Sequence, residues 1–532
     1  MVITPTSNPT ANVLVPVMRR ADRVGFLVIS VAMIAAIAWF AANWSSASDW
    51  KQFPFTLTFA TVLVAIIVGT RVFRWALLPF MRRPRAIEPA PNLKVAVVTA
   101  FVPGAEGLDM LTETLRALCA LRYPHDTWVL DEGNNASVKG LCRQLGVFHF
   151  SRQSLAQYQT ESGRFEAHTK HGNYNAWLSE IGFSRYDFLS AFDVDHVPSS
   201  DFLHRVLGHF AHPRVGYVQA AQAYSNQAAS FIARGAAEES YEFYSTIQMA
   251  NYGLGSTAII GSHNTHRMAA LNEVGGFAPH AADDLLLSWL YRRAGWRGVY
   301  VPEILARGHA PADWRGYLIQ QRRWARAVLD LKFRTYPKLA TRRSGAASIM
   351  NLLHGIHYLQ PGFVGLLTLL LLTVALATGS APNAIAHPFW PAIIVLVLVF
   401  GVCDIYKQRF YLDREREMGL HWRAHLLRVA KWPFILAALV DVATNRRVPY
   451  ALTPKSVSSS RHWLLLIAHG PVIALLGCAW VFGVLSGHRA PAVVEAGAAI
   501  VMVVTLAIIC SELFRVDTAF SAALQQENKS AV

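Results

Sequence analysis

Apolar residues cluster along this chain in two ways. Six runs are long and nearly continuous: 24–44, 55–80, 359–377, 389–405, 462–485 and 496–514. A helix that crosses a bilayer needs about 20 mostly apolar residues, so each run predicts a span. The second run is the least clean, because Arg71 and Arg74 lie near its end and must snorkel toward water. The first reads as a span rather than a leader, since no small-residue cleavage site follows it and a second span does.

Between the second and third runs the pattern changes. From Leu93 onward, short apolar runs alternate with amphipathic stretches. "KVAVVTAFVP" and "TWVLDEG" read as buried strands, and "LDMLTETLRALCALR" between them has apolar positions at helical spacing. "YDFLSAFDVDHVP", "VGYVQA" and "GVYVPE" follow as further strands with helices between them. Such alternation predicts a mostly parallel α/β sheet, in which ligands bind beyond the carboxyl ends of the strands. Asp131, Asp193 and Asp195 fall at such ends.

Composition agrees with this split. The 532 residues are 53% hydrophobic and only 16% charged, too apolar for an ordinary soluble enzyme. The net charge of +15 fits either a nucleic-acid partner or the excess of Lys and Arg on the cytoplasmic side of a membrane protein. Its location favours the second. "MRRADR" precedes the first span, "MRRPR" follows the second, and the connector 406–461 carries Lys407, Arg409, Arg414, Arg416, Arg423, Arg428, Lys431, Arg446, Arg447, Lys455 and Arg461. Both termini, the segment 81–345 and the connector are therefore expected in the cytoplasm, with the basic charge facing anionic lipid. No interleaved aromatic and basic code supports nucleic acid. The five cysteines are scattered without a CxxC pair, so they predict neither a metal site nor a disulfide framework.

The candidate chemistry centres on "SAFDVDHVPSSDF". Read as a strand running to Pro198, it places Asp193 and Asp195 side by side on one face, at a cost unless positive charge lies between them. A hard divalent cation, Mg²⁺ or Mn²⁺, shared with phosphate oxygens would meet that need; a solvated turn is the plain alternative. Asp131-Glu132-Gly133 opens a turn, where Asp131 either accepts from a base or ribose or serves the turn itself. Lys170 precedes a probable helix and can offset phosphate charge, or is simply an exposed lysine. Asp283 and Asp284 start a helix: either they complement its dipole, or one acts as a general base. In "QQRRW", Arg323 can pair with a diphosphate and Trp324 can stack on a sugar; the same helix also reads as a basic amphipathic helix on the membrane surface.

Taken together, Asp131, Asp193-x-Asp195, Asp284 and Gln320-x-x-Arg323-Trp324 resemble the D, DxD, D, QxxRW signature of processive family-2 glycosyltransferases, the cellulose synthase and related polysaccharide synthase group. The resemblance covers about residues 93–331 and includes "KHGNYN", similar to the family's KAGN stretch. Farther on, "VPYALTPKS" resembles the family's gating loop, with Tyr450, Thr453 and Lys455 at its pattern positions. The resemblance implies a multi-span α-helical membrane protein with an inserted cytoplasmic GT-A domain built on a mixed, mostly parallel sheet. It implies inverting transfer from a UDP-sugar donor to a nascent β-linked polysaccharide, and translocation across the inner membrane. By position, Asp131 would contact the uridine, and Lys170, Asp193 and Arg323 the donor diphosphate. Asp195 with Asp193 would hold the metal. Asp284 would be the base, and Gln320, Trp324 and Asp283 would hold the acceptor. Membrane lipids and accessory export subunits are the other partners implied.

The departures are specific. The family's DDG is Asp131-Glu132-Gly133 here, and its TED is Ala282-Asp283-Asp284. "TAFVPGAEG" replaces the usual end of the first strand, which leaves Thr99 and Glu106 without a firm role. Only two spans precede the catalytic segment, and the tail 515–532 is too short for a PilZ-type cyclic-di-GMP module. A β-glucan is the expected product; a single-transfer enzyme acting on a lipid acceptor is the alternative.

Overall fold

The computed structural model describes residues 14–44, 47–104, 106–339, 350, 353, 355–386, 390–446 and 463–514. The first two long helices, α1 (Arg20–Asn43) and α2 (Pro54–Ala76), match the first two apolar runs. α1 begins four residues before the predicted start because the Asp22 carboxylate accepts the Arg19 N–H at 2.8 Å and pairs with Arg409 at 2.9 Å. Side chains such as Val24, Leu27, Val28, Val31 and Ile34 are exposed on α1. An uncovered apolar stripe of this kind suits lipid rather than water.

The sheet domain follows. Its strands are β1 (Val95–Phe101), β2 (Asp126–Asp131), β3 (Phe148–Phe150), β4 (Phe188–Phe192), β5 (Val197–Pro198), β6 (Val215–Tyr224), β7 (Asn264–Arg267) and β8 (Arg297–Gly308). They lie in the order β3-β2-β1-β4-β7-β6-β8-β5. β1, β2, β3 and β4 pair in parallel, as do β6 and β8. β7 runs antiparallel between β4 and β6, and β5 runs antiparallel to β8. The expected mostly parallel sheet is present, and β7 is the strand that the hydrophobic pattern did not announce. Its sequence, "NTHR", is polar, yet Asn264, Thr265 and His266 are buried between two neighbouring strands. Their partners are tertiary: Thr265 bonds Ser190 on β4 at 2.8 Å, and His266 bonds Tyr291 at 3.0 Å.

Helices pack on both faces: α3 (Leu108–Cys119), α4 (Ala136–Leu145), α5 (Lys170–Trp177), α6 (Phe231–Glu242), α7 (Asp283–Arg293) and α8 (Trp314–Asp330). The remaining long helices are α9 (Leu359–Thr378), α10 (Trp390–Gln408), α11 (Trp422–Ala443), α12 (Leu464–Leu485) and α13 (Ala492–Leu513). Among the described residues, α1, α2, α9, α10, α12 and α13 are the helices long and apolar enough to cross a membrane, six as expected.

Charge joins the two parts. α6 carries Glu238, Glu239 and Glu242 on the side that meets the membrane helices. Glu242 binds Lys407 of α10 at 2.6 Å and Arg74 of α2 at 2.9 Å. Lys407 also binds Asp404 at 2.9 Å, and Asp404 binds Arg71 at 2.8 Å. Burial alone lifts the Glu242 carboxyl; Lys407 and Arg74 more than reverse this and hold it well below the usual carboxylate range. Glu239 takes Lys431 of α11 at 2.8 Å and the Tyr317 hydroxyl of α8 at 2.6 Å, and Glu238 takes Arg423 at 3.1 Å. Several of the basic residues near the spans therefore have protein partners. Arg423 and Lys431 meet carboxylates of the sheet domain, Arg409 meets Asp22, and Arg71 and Arg74 reach partners instead of snorkelling alone.

Breaking one member of a buried charge network leaves the others uncompensated. Glu242→Gln is expected to destabilise the protein by about 3 kcal/mol. This would be read as a lower unfolding midpoint in detergent, with partial recovery when Lys407→Met is added.

Candidate active site

The carboxyl edge of the sheet collects most of the predicted residues, by a route different from the one the sequence suggested. β4 ends at Phe192, not at Pro198. Asp193 to His196 form a turn closed by a His196 N–H to Asp193 carbonyl bond of 3.0 Å, and Thr114 of α3 pins it by donating to the Val194 carbonyl at 2.6 Å. The alternation of strand faces therefore does not bring Asp193 and Asp195 together; the turn does. Asp193 is partly exposed and Asp195 buried. Ligand atoms of Asp193, Asp195 and His196 all lie within 4.8 Å of one another. Two hard carboxylates beside an imidazole form a donor set that suits a divalent cation.

The positive charge beside this pair is Lys170. It is the first residue of α5, whose cap is the Thr169 hydroxyl accepting the Gly172 N–H at 3.1 Å. Its ammonium lies 2.5 Å from an Asp193 oxygen and 3.1 Å from the Gly261 carbonyl. Burial pulls this lysine down, but Asp193, Tyr174 and Asp283 outweigh it and hold the ammonium above its usual range. Asp195 is held by the His196 imidazole at 3.2 Å and by the His309 N–H at 3.3 Å.

Asp283 and Asp284 form the first turn of α7. Asp284 accepts the Gly261 N–H at 2.8 Å and the Leu285 N–H at 2.7 Å. Burial, then the Asp283 charge, pushes the Asp284 carboxyl up to about 6, and Asp283 is also raised, chiefly by burial. One residue thus joins the motifs: Gly261 donates to Asp284 and accepts from Lys170, while the neighbouring Ser262 hydroxyl accepts the Asp193 N–H at 2.9 Å. Gly261 has φ +57°, a conformation that suits glycine. The motif reading did not single out this "IIGSH" loop; its one local signal is a Gly-Ser pair placed just before a strand.

Two other residues were underrated. The Glu106 carboxyl is pushed up to about 7 by burial, and Asp193 and Asp195 push it the same way, so it shares their field. Arg152 is fully buried, binding both Glu132 oxygens at 3.1 and 2.8 Å and the carbonyls of Tyr158, Phe165, Glu166 and Thr169. It ties the 152–169 loop to the start of α5 and so aims Lys170. A side chain at Gly172 would meet the Glu166 carbonyl at 2.2 Å and Arg152 at 2.6 Å. The Glu of Asp131-Glu132-Gly133 therefore has a structural role as the partner of Arg152.

Asp131 stands apart. It is fully buried, and its oxygens accept the N–H groups of Gly133 at 3.0 Å and Asn135 at 2.5 Å and meet His149 at 3.1 Å. Here it builds its own turn, two strand positions (about 10 Å) from the Asp193 turn. Thr99 is buried inside β1.

α8 carries Gln320, Arg323 and Trp324, the first buried and the others half-buried. Its two adjacent arginines divide the work. Arg322 binds Asp441 of α11 at 2.6 Å, and Arg326, one turn on, donates to the Arg446 carbonyl at 2.8 Å. Arg323 points about 100° around the helix from Arg322. Tyr450, Thr453 and Lys455 lie outside the described residues.

Residues 191–403 match the model of the glycosyl transferase family group 2. The chain is 24% identical over 345 residues to a probable glucomannan 4-beta-mannosyltransferase of Oryza sativa subsp. japonica, covering 61% of each. It is 26% identical over 278 residues to the UDP-forming cellulose synthase catalytic subunit of Xanthomonas axonopodis pv. citri, covering 50% of this chain and 36% of that one. It is 27% identical over 395 residues to the corresponding subunit of Pseudomonas fluorescens, covering 71% and 50%. The chain thus spans less than two thirds of the length of each of these relatives. In fold it resembles the mannosyltransferase PcManGT of Pyrobaculum calidifontis, solved with GDP-Man and Mn²⁺, at a TM-score of 0.50 and 17% identity over 73% of this chain and 99% of that one.

Arg152→Met would strand the Glu132 carboxylate and free four carbonyls. A loss of about 3 kcal/mol is expected, with faster proteolytic cleavage within 152–169.

Proposed function

We propose that this chain, a membrane glycosyltransferase of the cellulose-synthase-like family-2 group, is a processive inverting enzyme. It builds a β-linked polysaccharide, a β-glucan, from a UDP-sugar and passes it across the inner membrane, with the segment 81–345 in the cytoplasm. The observation that carries this reading is the Gly261–Ser262 loop, which gathers Lys170, Asp193 and Asp284 into one bonded set beside Asp195.

The chemistry follows from the charges. Lys170, relieved of Asp193 by the donor, pairs with the diphosphate, and Arg323 reaches the same group from α8. Asp193 and Asp195 would hold Mg²⁺ or Mn²⁺, which supplies positive charge to the leaving diphosphate. Gln320, Trp324 and Asp283 hold the acceptor sugar, and Asp131 is assigned to the uridine end. The acceptor hydroxyl attacks the anomeric carbon from the side opposite the diphosphate. The new glycosidic bond forms, the bond to UDP breaks, and the hydroxyl proton passes to Asp284. The Gly261 and Leu285 N–H groups fix both Asp284 oxygens, and each keeps a lone pair for that proton. Membrane lipids surround the six spans, and accessory export subunits receive the product.

A second reading has one specific support. The glucomannan mannosyltransferase relative makes a β-mannan backbone a competing product. Protein purified in nanodiscs and incubated with a panel of sugar nucleotides and Mg²⁺ or Mn²⁺ tests both. Polymer from UDP-glucose supports the glucan, and polymer only from a mannose donor supports the mannan. A single-sugar lipid product would overturn processivity.

Asp284→Asn is expected to lower turnover by about 10²–10⁴-fold while UDP binding, read by calorimetry, persists. Because the base must be ionised and its carboxyl is raised to about 6, wild-type turnover is expected to fall as pH drops below that value.

A further inference from the structure

The loop that delivers Asp283 and Asp284 carries a histidine that no part of the signature uses. His280 is half-buried, three residues before Asp283. Its Nδ1 lies 2.9 Å from the Ala282 N–H, and its Nε2 lies 3.1 Å from an Asp330 oxygen at the end of α8. A backbone N–H can only donate, so Nδ1 accepts and carries no proton. Nε2 therefore bears the proton and donates it to Asp330. One imidazole thus spans the start of α7 and the last turn of α8.

The position of Asp330 gives this span its meaning. It lies seven residues after Arg323, two turns along α8 and about 20° around it, so the two share a face. Asp330 is braced in turn by Arg334 at 3.5 Å, and Arg334 donates to the Val442 carbonyl of α11 at 2.5 Å. An apolar cluster that includes Ala278, Ala282, Leu285, Trp289, Ala327 and Leu331 packs the same two elements, and the Lys332 ammonium lies 4.7 Å from the centre of the Trp289 ring. Those contacts hold the body of α7 against the end of α8. The imidazole bonds add the directional contact nearest the Asp283–Asp284 turn.

We infer that His280, together with Asp330, is a positioning residue that locks the Asp284 carboxylate to the Arg323 face of α8 and so sets the distance between the proton acceptor and the leaving diphosphate. The inference rests on the assignment of Asp284 as the base. Displacing a reacting group by about 1 Å can cost about 10²-fold in rate, while UDP is assigned to Lys170 and to Arg323 on α8, which stays tied to α11 through Arg322 and Asp441.

The test uses the full chain in nanodiscs, with UDP-glucose as donor, UDP as the binding probe and hydrogen exchange across 278–286 as the structural readout. His280→Ala and Asp330→Asn are each expected to lower kcat by about tenfold to a hundredfold, with KM and UDP affinity within about twofold. Both are expected to speed exchange at the Ala282 amide, and the double variant to be no worse than either single one. His280→Gln, whose amide can accept from Ala282 and donate to Asp330, is expected to restore most of kcat. Wild-type kcat in His280→Ala, additive losses in the double variant, or unchanged exchange at Ala282 would each overturn the inference. Asp284→Asn, assayed in parallel, separates the two assignments. An inactive Asp284→Asn with a fully active His280→Ala removes the positioning role alone. An Asp284→Asn variant with wild-type turnover removes the base, and with it the reason for the lock.

Discussion

Four carboxylates converge at one edge of this sheet, and the need to hold them there governs the rest of the site. Asp193, Asp195, Asp283 and Asp284 repel one another in a partly buried place. The fold answers with fixed donors. Lys170 takes Asp193, the His196 ring and the His309 N–H take Asp195, and the Gly261 and Leu285 N–H groups take Asp284. Each donor is placed by something further out. Arg152 sets the start of α5, the φ of Gly261 turns its N–H and its carbonyl toward two different motifs, and Thr114 pins the turn between the first two aspartates. Burial, and after it the Asp283 charge, raises the Asp284 carboxyl, and a group in that state can take up a proton.

A second set of charges joins chemistry to membrane. α6 presents Glu238, Glu239 and Glu242 to cations from α2, α10 and α11. Apolar packing alone would let the sheet domain slide over the ends of the spans. Charge-assisted bonds have direction, and buried ones tolerate little displacement. α8 joins the same assembly through Tyr317 and Arg322, so the helix bearing Arg323 is fixed to α11 and not only to the sheet. The QxxRW helix is thereby positioned from the membrane side and the sheet side at once.

The chain's own pattern carried the six spans, the strands β1, β2, β4, β6 and β8, and the motifs that resemble the family's. These are local: a span is a run of apolar residues, a strand here is a short buried run, and a motif is a spacing. Even the first residue of α5 and the Asp283–Asp284 start of α7 were close to their final places, because helix starts have their own side-chain signals. Where local pattern was the wrong guide, tertiary contacts had overruled it. β7 is polar and still a central strand, because Ser190 and Tyr291 satisfy its buried groups. "SAFDVDHVP" looked like one strand, yet Thr114 and the Asp193–His196 backbone bond make its second half a turn.

By itself, then, the sequence determined which residues carry charge and reactivity, how many helices can span a bilayer, and the family that this order of motifs resembles. Only the tertiary structure decided which groups face one another. It turned Asp131 inward onto its own turn, gave Arg322 to Asp441 while Arg323 took another face, and set Arg423 and Lys431 of the connector against α6. It also made Gly261, a residue with no side chain, the joint between Lys170 and Asp284. The physical reason is common to all of these. A charge or a hydrogen-bonding group declares in sequence what it can bind, but several partners compete for it, from neighbours in its own turn to groups over a hundred residues away, and only the packed fold selects one.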